Sequence, residues 1–140
     1  MSTQHKTILC IDDDEGALAY HRALLERRGF DVLTASSARR GLQILDGCPA
    51  AAAIVDYNMP EMTGGDVAAE LKRQHPEMPV VMLSSDEGIP KIALRTVDAF
   101  LSKAAAHSAL LPLIFKICEE HRSVPGERPA QAQDIFDGIC

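Results

Sequence analysis

Several things are missing from this chain, and each absence removes a class of function. No apolar run approaches the roughly 20 residues that a bilayer-spanning helix needs, and the opening "MSTQHK" shows no signal-peptide pattern. Basic residues are in the minority: Lys and Arg number 14 against 20 Asp and Glu, for a formal net charge of −6. That balance argues against a nucleic-acid or anionic-membrane surface, both of which want Lys/Arg clusters. The four cysteines, Cys10, Cys48, Cys118 and Cys140, form no C-x-x-C pair. Their wide spacing speaks against both a zinc site and a disulfide framework. The histidines have no paired spacing for a metal, and no phosphate-loop lysine accompanies Gly64-Gly65. What remains is a cytoplasmic protein without direct nucleic-acid or membrane contact, long enough at 140 residues for one domain with a real core.

What is present is alternation. "TILCI" (7–11), "DVLTA" (31–35), "AAIVD" (52–56), "PVVMLS" (79–84) and "AFLS" (99–102) read as five short strands. Between them, helical spacing of Leu18, Leu24 and Leu25 predicts a helix over 15–28, stopped by Gly29. Ser36 or Ser37 is placed to cap a second helix through Leu42 and Leu45 to Gly47. "GDVAAELKRQH" is a third, ended before Pro76. "IPKIALRTV" (89–97) is a short helix candidate. An amphipathic helix is expected over 108–121, with Pro112 in its first turn, where a missing N–H matters little. His21 and the thiols of Cys10 and Cys118 fall on apolar faces and read as packing residues; Cys140 reads as an exposed thiol. A βα unit repeated five times predicts an α/β fold, an open doubly wound parallel sheet with helices on both faces.

In such a sheet, ligands bind beyond the C-terminal ends of the strands. Here those ends carry chemistry. The first strand runs into Asp12-Asp13-Asp14-Glu15, the third ends on Asp56, the fourth on Ser84-Ser85 and the fifth on Ser102-Lys103. An isolated buried carboxylate is costly and needs partners. Two unit charges at 4 Å repel by about 4 kcal/mol at an effective dielectric of 20. The acidic edge therefore calls for cations. Lys103 supplies one, and a hard, oxygen-seeking ion such as Mg²⁺ suits the rest. A carboxylate beside such an ion, a lysine and a hydroxyl is equipped to attack a phosphoryl group and hold it as aspartyl phosphate. Asp12, Ser84 or Lys103 taken singly reads as a helix-start charge, a strand-end hydroxyl or a surface lysine. Their warrant is joint.

The pieces "ILCIDDDEG", "AAIVDYNMPEMTGGD", "VVMLSS" and "AFLSK" resemble, in order and spacing, the receiver domain of bacterial two-component response regulators, over roughly residues 6 to 121. The resemblance implies a CheY-like, flavodoxin-like (βα)5 fold with strand order 2-1-3-4-5. Carried over by position, it makes Asp56 the phosphoacceptor and Asp12 and Asp13 the acidic pair for Mg²⁺ (or Mn²⁺). The backbone carbonyl of Asn58 becomes a further metal ligand. Ser84 and Lys103 contact the phosphoryl oxygens, and Phe100 stands where the family keeps an aromatic residue that follows activation. The chain would then be no enzyme in its own right but a phosphoacceptor that assists its own Mg²⁺-dependent phosphorylation and dephosphorylation. Its implied partners are a sensor histidine kinase or phosphotransfer protein and a downstream target that reads the signal by binding, with the chain a monomer or weak dimer.

Two departures from the family pattern stand out. Ala104 occupies the position after the lysine where proline is usual, and the stretch from Ser84 to Lys103 is short, which implies a reduced helix between the fourth and fifth strands. Residues 1–122 are expected to form the receiver. Residues 123–140, richer in proline and polar residues, are expected to form a tail, mobile or with a short helix. No output domain is expected after it. Two competing readings accompany this one: a receiver-like interaction module that acts without phosphorylation, and a haloacid-dehalogenase-type phosphatase using Asp12 and Asp14 of the D-x-D opening.

Overall fold

Successive side chains of a strand point to opposite faces of its sheet, so a strand covered on both faces can be apolar at every position. Thr7–Ile11 (β1), Ala52–Asp56 (β3) and Val80–Ser84 (β4) are of this kind, and beyond Thr7 each of their residues is buried. With Asp31–Ala35 (β2) and Ala99–Ser102 (β5) they form one five-stranded parallel sheet of order β2-β1-β3-β4-β5, as expected for a receiver-like fold. The computed structural model describes residues 6–85 and 95–120.

The described helices are Glu15–Glu26 (α1), Ala38–Gly47 (α2), Gly64–Gln74 (α3) and Lys103–Glu120 (α4). Each begins on a hydroxyl or carboxylate cap. Asp14 accepts from the Gly16 N–H, Ser37 from Arg40, Thr63 from Asp66 and Ser102 from Ala105. Such caps satisfy N–H groups that a helix start leaves without intrahelical partners. The first helix ends near its expected stop, where Gly29 takes φ 94, a left-handed value that glycine adopts without strain.

Two apolar layers flank the sheet. On one face Ile8, Cys10, Ile54, Val81 and Leu83 meet Leu18 and Leu25 of α1 and Leu110, Ile114 and Ile117 of α4. On the other, Leu9, Ile11, Val55, Val80 and Met82 meet Leu45 of α2 and Val67 and Leu71 of α3. Full burial of one such side chain contributes about 1.5–3 kcal/mol. Cys10 and Cys118 are buried free thiols and His21 is buried, all as read from the sequence.

The last helix differs from expectation. It starts at Lys103 rather than 108 and carries Pro112 in its interior. Ala104-Ala105-Ala106 are strong helix formers, and with Ser102 as cap they extend the helix by more than a turn ahead of the proline. Pro112 is exposed, so its ring stands toward solvent. Most of the helix candidate over 89–97 lies outside the described residues, and its final three, 95–97, are turn and bend. Residues 123–140, the expected tail, lie outside them as well.

Candidate functional site

Strand register builds the site. Ile11 pairs with Val55, Asp56 with Leu83 and Ser84 with Ser102, so the C-terminal ends of β1, β3, β4 and β5 share one edge. Asp12 follows β1 directly, its N–H tied to the Ala35 carbonyl at 3.1 Å. Its carboxylate is held twice: Oδ1 accepts from the Asp14 N–H at 3.0 Å, and Oδ2 lies 3.6 Å from Lys103 Nζ. Asp56 closes β3 and is only 3 % exposed. Lys103 Nζ stands 3.0 Å from its Oδ1. Asp13 is exposed, yet one oxygen from each of Asp12, Asp13 and Asp56 lies within 4.8 Å of the others.

Ser84 is fully buried at the end of β4, beside Asp56 on the neighbouring strand. Asn58 is exposed in the loop after β3, and its backbone hydrogen-bonds the Asp56 carboxylate. Phe100 pairs with Met82 in the sheet and packs, half-buried, against the α2/α3 layer below the edge. Asp12, Asp13, Asp56 and Lys103 are therefore brought together, with Ser84 and Asn58 at the margin and Phe100 set back from them. Asp14 is exposed, and its carboxylate is taken up by the start of α1. It caps α1, and the D-x-D phosphatase reading, which needs Asp14 as its acid, loses that residue to the helix.

Burial sets the electrostatics. It pushes the Asp56 carboxyl above the usual range, and the charge of Asp12 adds to the rise against the opposing close approach of the Lys103 ammonium. For Lys103, burial works against the charge, but the close contact with Asp56 and the charges of Asp12 and Asp56 prevail and lift its pKa. Burial lowers His21, the histidine of α1 that feels both Asp12 and Lys103. Cys10, deep in β1, is pushed up to about 12 by burial and then by Asp12, so its thiol is inert.

The edge has a deficit of positive charge. Among the described residues, three carboxylates gather around one ammonium, which is in ion-pair contact with two of them, Asp12 and Asp56. Asp56 Oδ1 is buried and, although Lys103 is close, has no aligned hydrogen-bond partner. A set of hard carboxylate oxygens with one unsatisfied member suits a hard divalent cation. The cluster can bind a metal.

Two neighbours escaped sequence reasoning. Gly64 donates its N–H to the Tyr57 carbonyl at 2.7 Å and packs directly beneath the Asp56–Tyr57 backbone. Ser102, read as a strand end, caps α4. The S-x-x-A spacing before three alanines was the available signal for the second; the first depends on a tertiary approach that no local pattern encodes.

Comparison with known proteins agrees with this architecture. The response regulator receiver domain family matches residues 8–115. The chain is 33 % identical over 135 residues to the transcriptional regulatory protein GlrR of Escherichia coli, covering 94 % of this chain but 30 % of GlrR. It is 28 % identical over 134 residues to the photosynthetic apparatus regulatory protein RegA of Cereibacter sphaeroides, covering 93 % of this chain and 72 % of RegA. A CheY-like receiver domain protein from Methanospirillum hungatei superposes with TM-score 0.80 at 26 % identity, over 84 % of this chain and 97 % of that one. The response regulator TrrA of Thermotoga maritima, in complex with Mg²⁺-BeF, superposes with TM-score 0.75 at 20 % identity, over 80 % and 98 %. A five-stranded sheet of this order, with carboxylates gathered at its C-terminal edge and this breadth of similarity, places the chain in the receiver domain family of response regulators, the phosphorylatable aspartate switches of two-component signalling.

Proposed function

We propose that Asp56 is the phosphoacceptor, taking its phosphoryl group from a histidine kinase or a histidine phosphotransfer protein. The observation that carries this reading is Asp56 Oδ1 itself: buried, without an aligned hydrogen-bond partner, and 3.0 Å from Lys103 Nζ. In the transfer, an Asp56 carboxylate oxygen attacks phosphorus, the P–N bond to the donor imidazole breaks, and the nitrogen leaves with the bonding pair. The product is an acyl phosphate. Lys103 pairs with the oxygens of the arriving group, and the Ser84 hydroxyl donates to one of them. Asp12, Asp13, Asp56 and the Asn58 carbonyl would hold Mg²⁺ or Mn²⁺, whose charge offsets that of the phosphoryl oxygens. The Mg²⁺-BeF complex of TrrA supports that assignment by fold. With these groups around it the acceptor assists its own phosphorylation and dephosphorylation.

The signal is then read by a protein partner. New charge at Asp56 draws Ser84 and Lys103 toward the phosphoryl group, and Phe100, packed against the α2/α3 layer, responds by changing rotamer. We assign this function to residues 1–122 and propose no part in it for residues 123–140. One feature favours a second reading, an interaction module that binds unphosphorylated: Lys103 is already paired with both Asp12 and Asp56.

Intact-mass analysis after incubation with acetyl phosphate and Mg²⁺ separates the two. Gain of one phosphoryl group, lost in Asp56→Ala and without metal, is the expected result. Failure of the folded protein to gain mass from acetyl phosphate or from a phosphorylated donor histidine, despite measurable Mg²⁺ binding, would favour the interaction module.

A further inference from the structure

We propose that Ser102 is the positioning residue for Lys103, holding the lysine over Asp56 by capping the helix that the lysine begins. The proposal rests on the reading of Lys103 as the partner of the phosphoryl group. Strand β5 ends at Ser102 and α4 begins at Lys103, with no residue between them. A junction this abrupt leaves one residue to define where the helix starts. The Ser102 hydroxyl does so by accepting from the Ala105 N–H at 3.2 Å. In helix terms Ser102 is the N-cap, Lys103 the first helical residue and Ala105 the third, the position whose N–H a serine cap satisfies.

Nothing else in this turn is equipped to hold it. Ala104 and Ala105 are exposed and have no side chain with which to grip a neighbour; Ala106 is the first residue of α4 to be buried. The turn also carries a charge of the wrong sign. A lysine at a helix N-terminus opposes the helix dipole, and the first turn of α4 contains no acidic residue to compensate. Compensation comes from across the sheet edge, from Asp56 at 3.0 Å and Asp12 at 3.6 Å. The cap and the carboxylates therefore act on the same turn from opposite sides. Without the cap, the turn frays, and the ammonium is released from the geometry that places it on Asp56. In a chain with Ala104 after the lysine, the constraint on lysine position comes from the residue before it.

The test compares Ser102→Ala with Ser102→Thr, which keeps a capping hydroxyl. Two readouts are followed at a temperature where both variants are folded. One is the rate of phosphoryl uptake from acetyl phosphate with Mg²⁺. The other is the pH titration of Lys103 by NMR of the reductively ¹³C-methylated protein, its resonance assigned with Lys103→Arg. Ser102→Ala is expected to slow uptake by about fivefold, the population lost with one cap, and to move the Lys103 titration toward that of an ordinary lysine. Ser102→Thr is expected to restore both. If Ser102→Ala does not fold, Ser102→Val, which has the shape of threonine but no capping hydroxyl, takes its place. Wild-type uptake and wild-type Lys103 titration in the folded uncapped variant would overturn the proposal, whatever its melting temperature. If the wild-type protein takes up no phosphoryl group, the acceptor reading fails, and the Lys103 titration still decides the role of Ser102.

Discussion

Gly64 sits so close beneath Tyr57 that a β-carbon built on it would lie 2.5 Å from the Tyr57 Cα and 2.8 Å from the Asp56 carbonyl oxygen. The first turn of α3 is thereby pressed against the backbone that carries Asp56, and its N–H closes the contact on the Tyr57 carbonyl. The glycine matters for approach rather than for backbone freedom.

This contact reverses the usual effect of alanine. In a helix, Gly→Ala ordinarily stabilises; at Gly64 the added methyl meets backbone, which cannot swing aside, and overpacking of this kind costs about 1–3 kcal/mol. Gly47, at the end of α2 with nothing within 4 Å of its would-be β-carbon, is the control. Gly47→Ala is expected to gain about 0.5 kcal/mol, and Gly64→Ala to lose stability and slow phosphoryl uptake. Urea unfolding of the two variants checks the opposite signs; equal effects would show that α3 can retreat from β3.

Asp56 makes the protein less stable at neutral pH. Its carboxyl is raised above the ordinary aspartate value, chiefly by burial. Below that ordinary value the group is protonated in both folded and unfolded states and contributes nothing. As pH climbs toward the raised folded value, the unfolded chain ionises first and stability is lost; above it the loss is constant. Asp56→Asn is therefore expected to melt higher than wild type at neutral pH, with the advantage shrinking to nothing in acid. Saturating Mg²⁺ should narrow the gap from the wild-type side, because the ion binds the folded carboxylates. Melting curves across pH, with and without Mg²⁺, provide the check. A variant that melts lower than wild type at neutral pH would mean that the pairing of Asp56 with Lys103 outweighs its burial.

How much of this could be read from the chain depends on whether the determinant is periodic. The strands were legible because β1, β3 and β4 are apolar throughout and end in abrupt polarity at Asp12, Asp56 and Ser84. Once the sheet is parallel, those ends must meet, so the gathering of Asp12, Asp13, Asp56 and Lys103 followed without coordinates. A start at 108 sets helix α4 too late: Pro112 reads as a starting signal, although a proline facing solvent can be carried inside a helix that packs well through Leu110, Ile114 and Ile117. The contact of Gly64 with the Asp56–Tyr57 backbone joins segments whose separation is fixed only after the sheet and α3 have packed. No spacing rule reaches it.

Lys103 and a metal compete for the same negative charge. Lys103 Nζ contacts Asp56 and Asp12, two of the three carboxylates that can hold an ion. Removing the ammonium as Lys103→Met relieves repulsion on an incoming cation and is expected to tighten Mg²⁺ binding by at least about fivefold, since unit charges 4 Å apart interact by about 1 kcal/mol even in water. Phosphoryl uptake should fall in the same variant. Isothermal titration with Mg²⁺ and intact-mass kinetics measure the two effects. Weaker Mg²⁺ binding together with slower uptake would indicate that Lys103 holds the carboxylates in place for the metal rather than opposing it.

At the far end of the sheet, a second, partly buried pairing tests whether stability and signalling chemistry separate. Lys72 Nζ reaches from α3 to Asp98 Oδ2 at 2.7 Å and to the Met78 carbonyl at 3.0 Å. Asp98 Oδ2 also accepts the Val80 N–H at 2.8 Å, and the Asp98 N–H returns to the Val80 carbonyl. The ion pair thus ties α3 to the starts of β4 and β5, opposite the acidic edge. Its side chains are about a quarter exposed, so it exceeds a surface pair in worth, and a double-mutant cycle of Lys72→Met and Asp98→Asn is expected to give a coupling of about 1 kcal/mol. Asp98→Asn should cost the more of the two singles, since it weakens the acceptor for both Lys72 and the Val80 N–H. Phosphoryl uptake by the folded variants should match wild type. A coupling near zero would assign the latch to the backbone bonds alone, and altered uptake would mean that the start of β5 is mechanically linked to Lys103 at its other end.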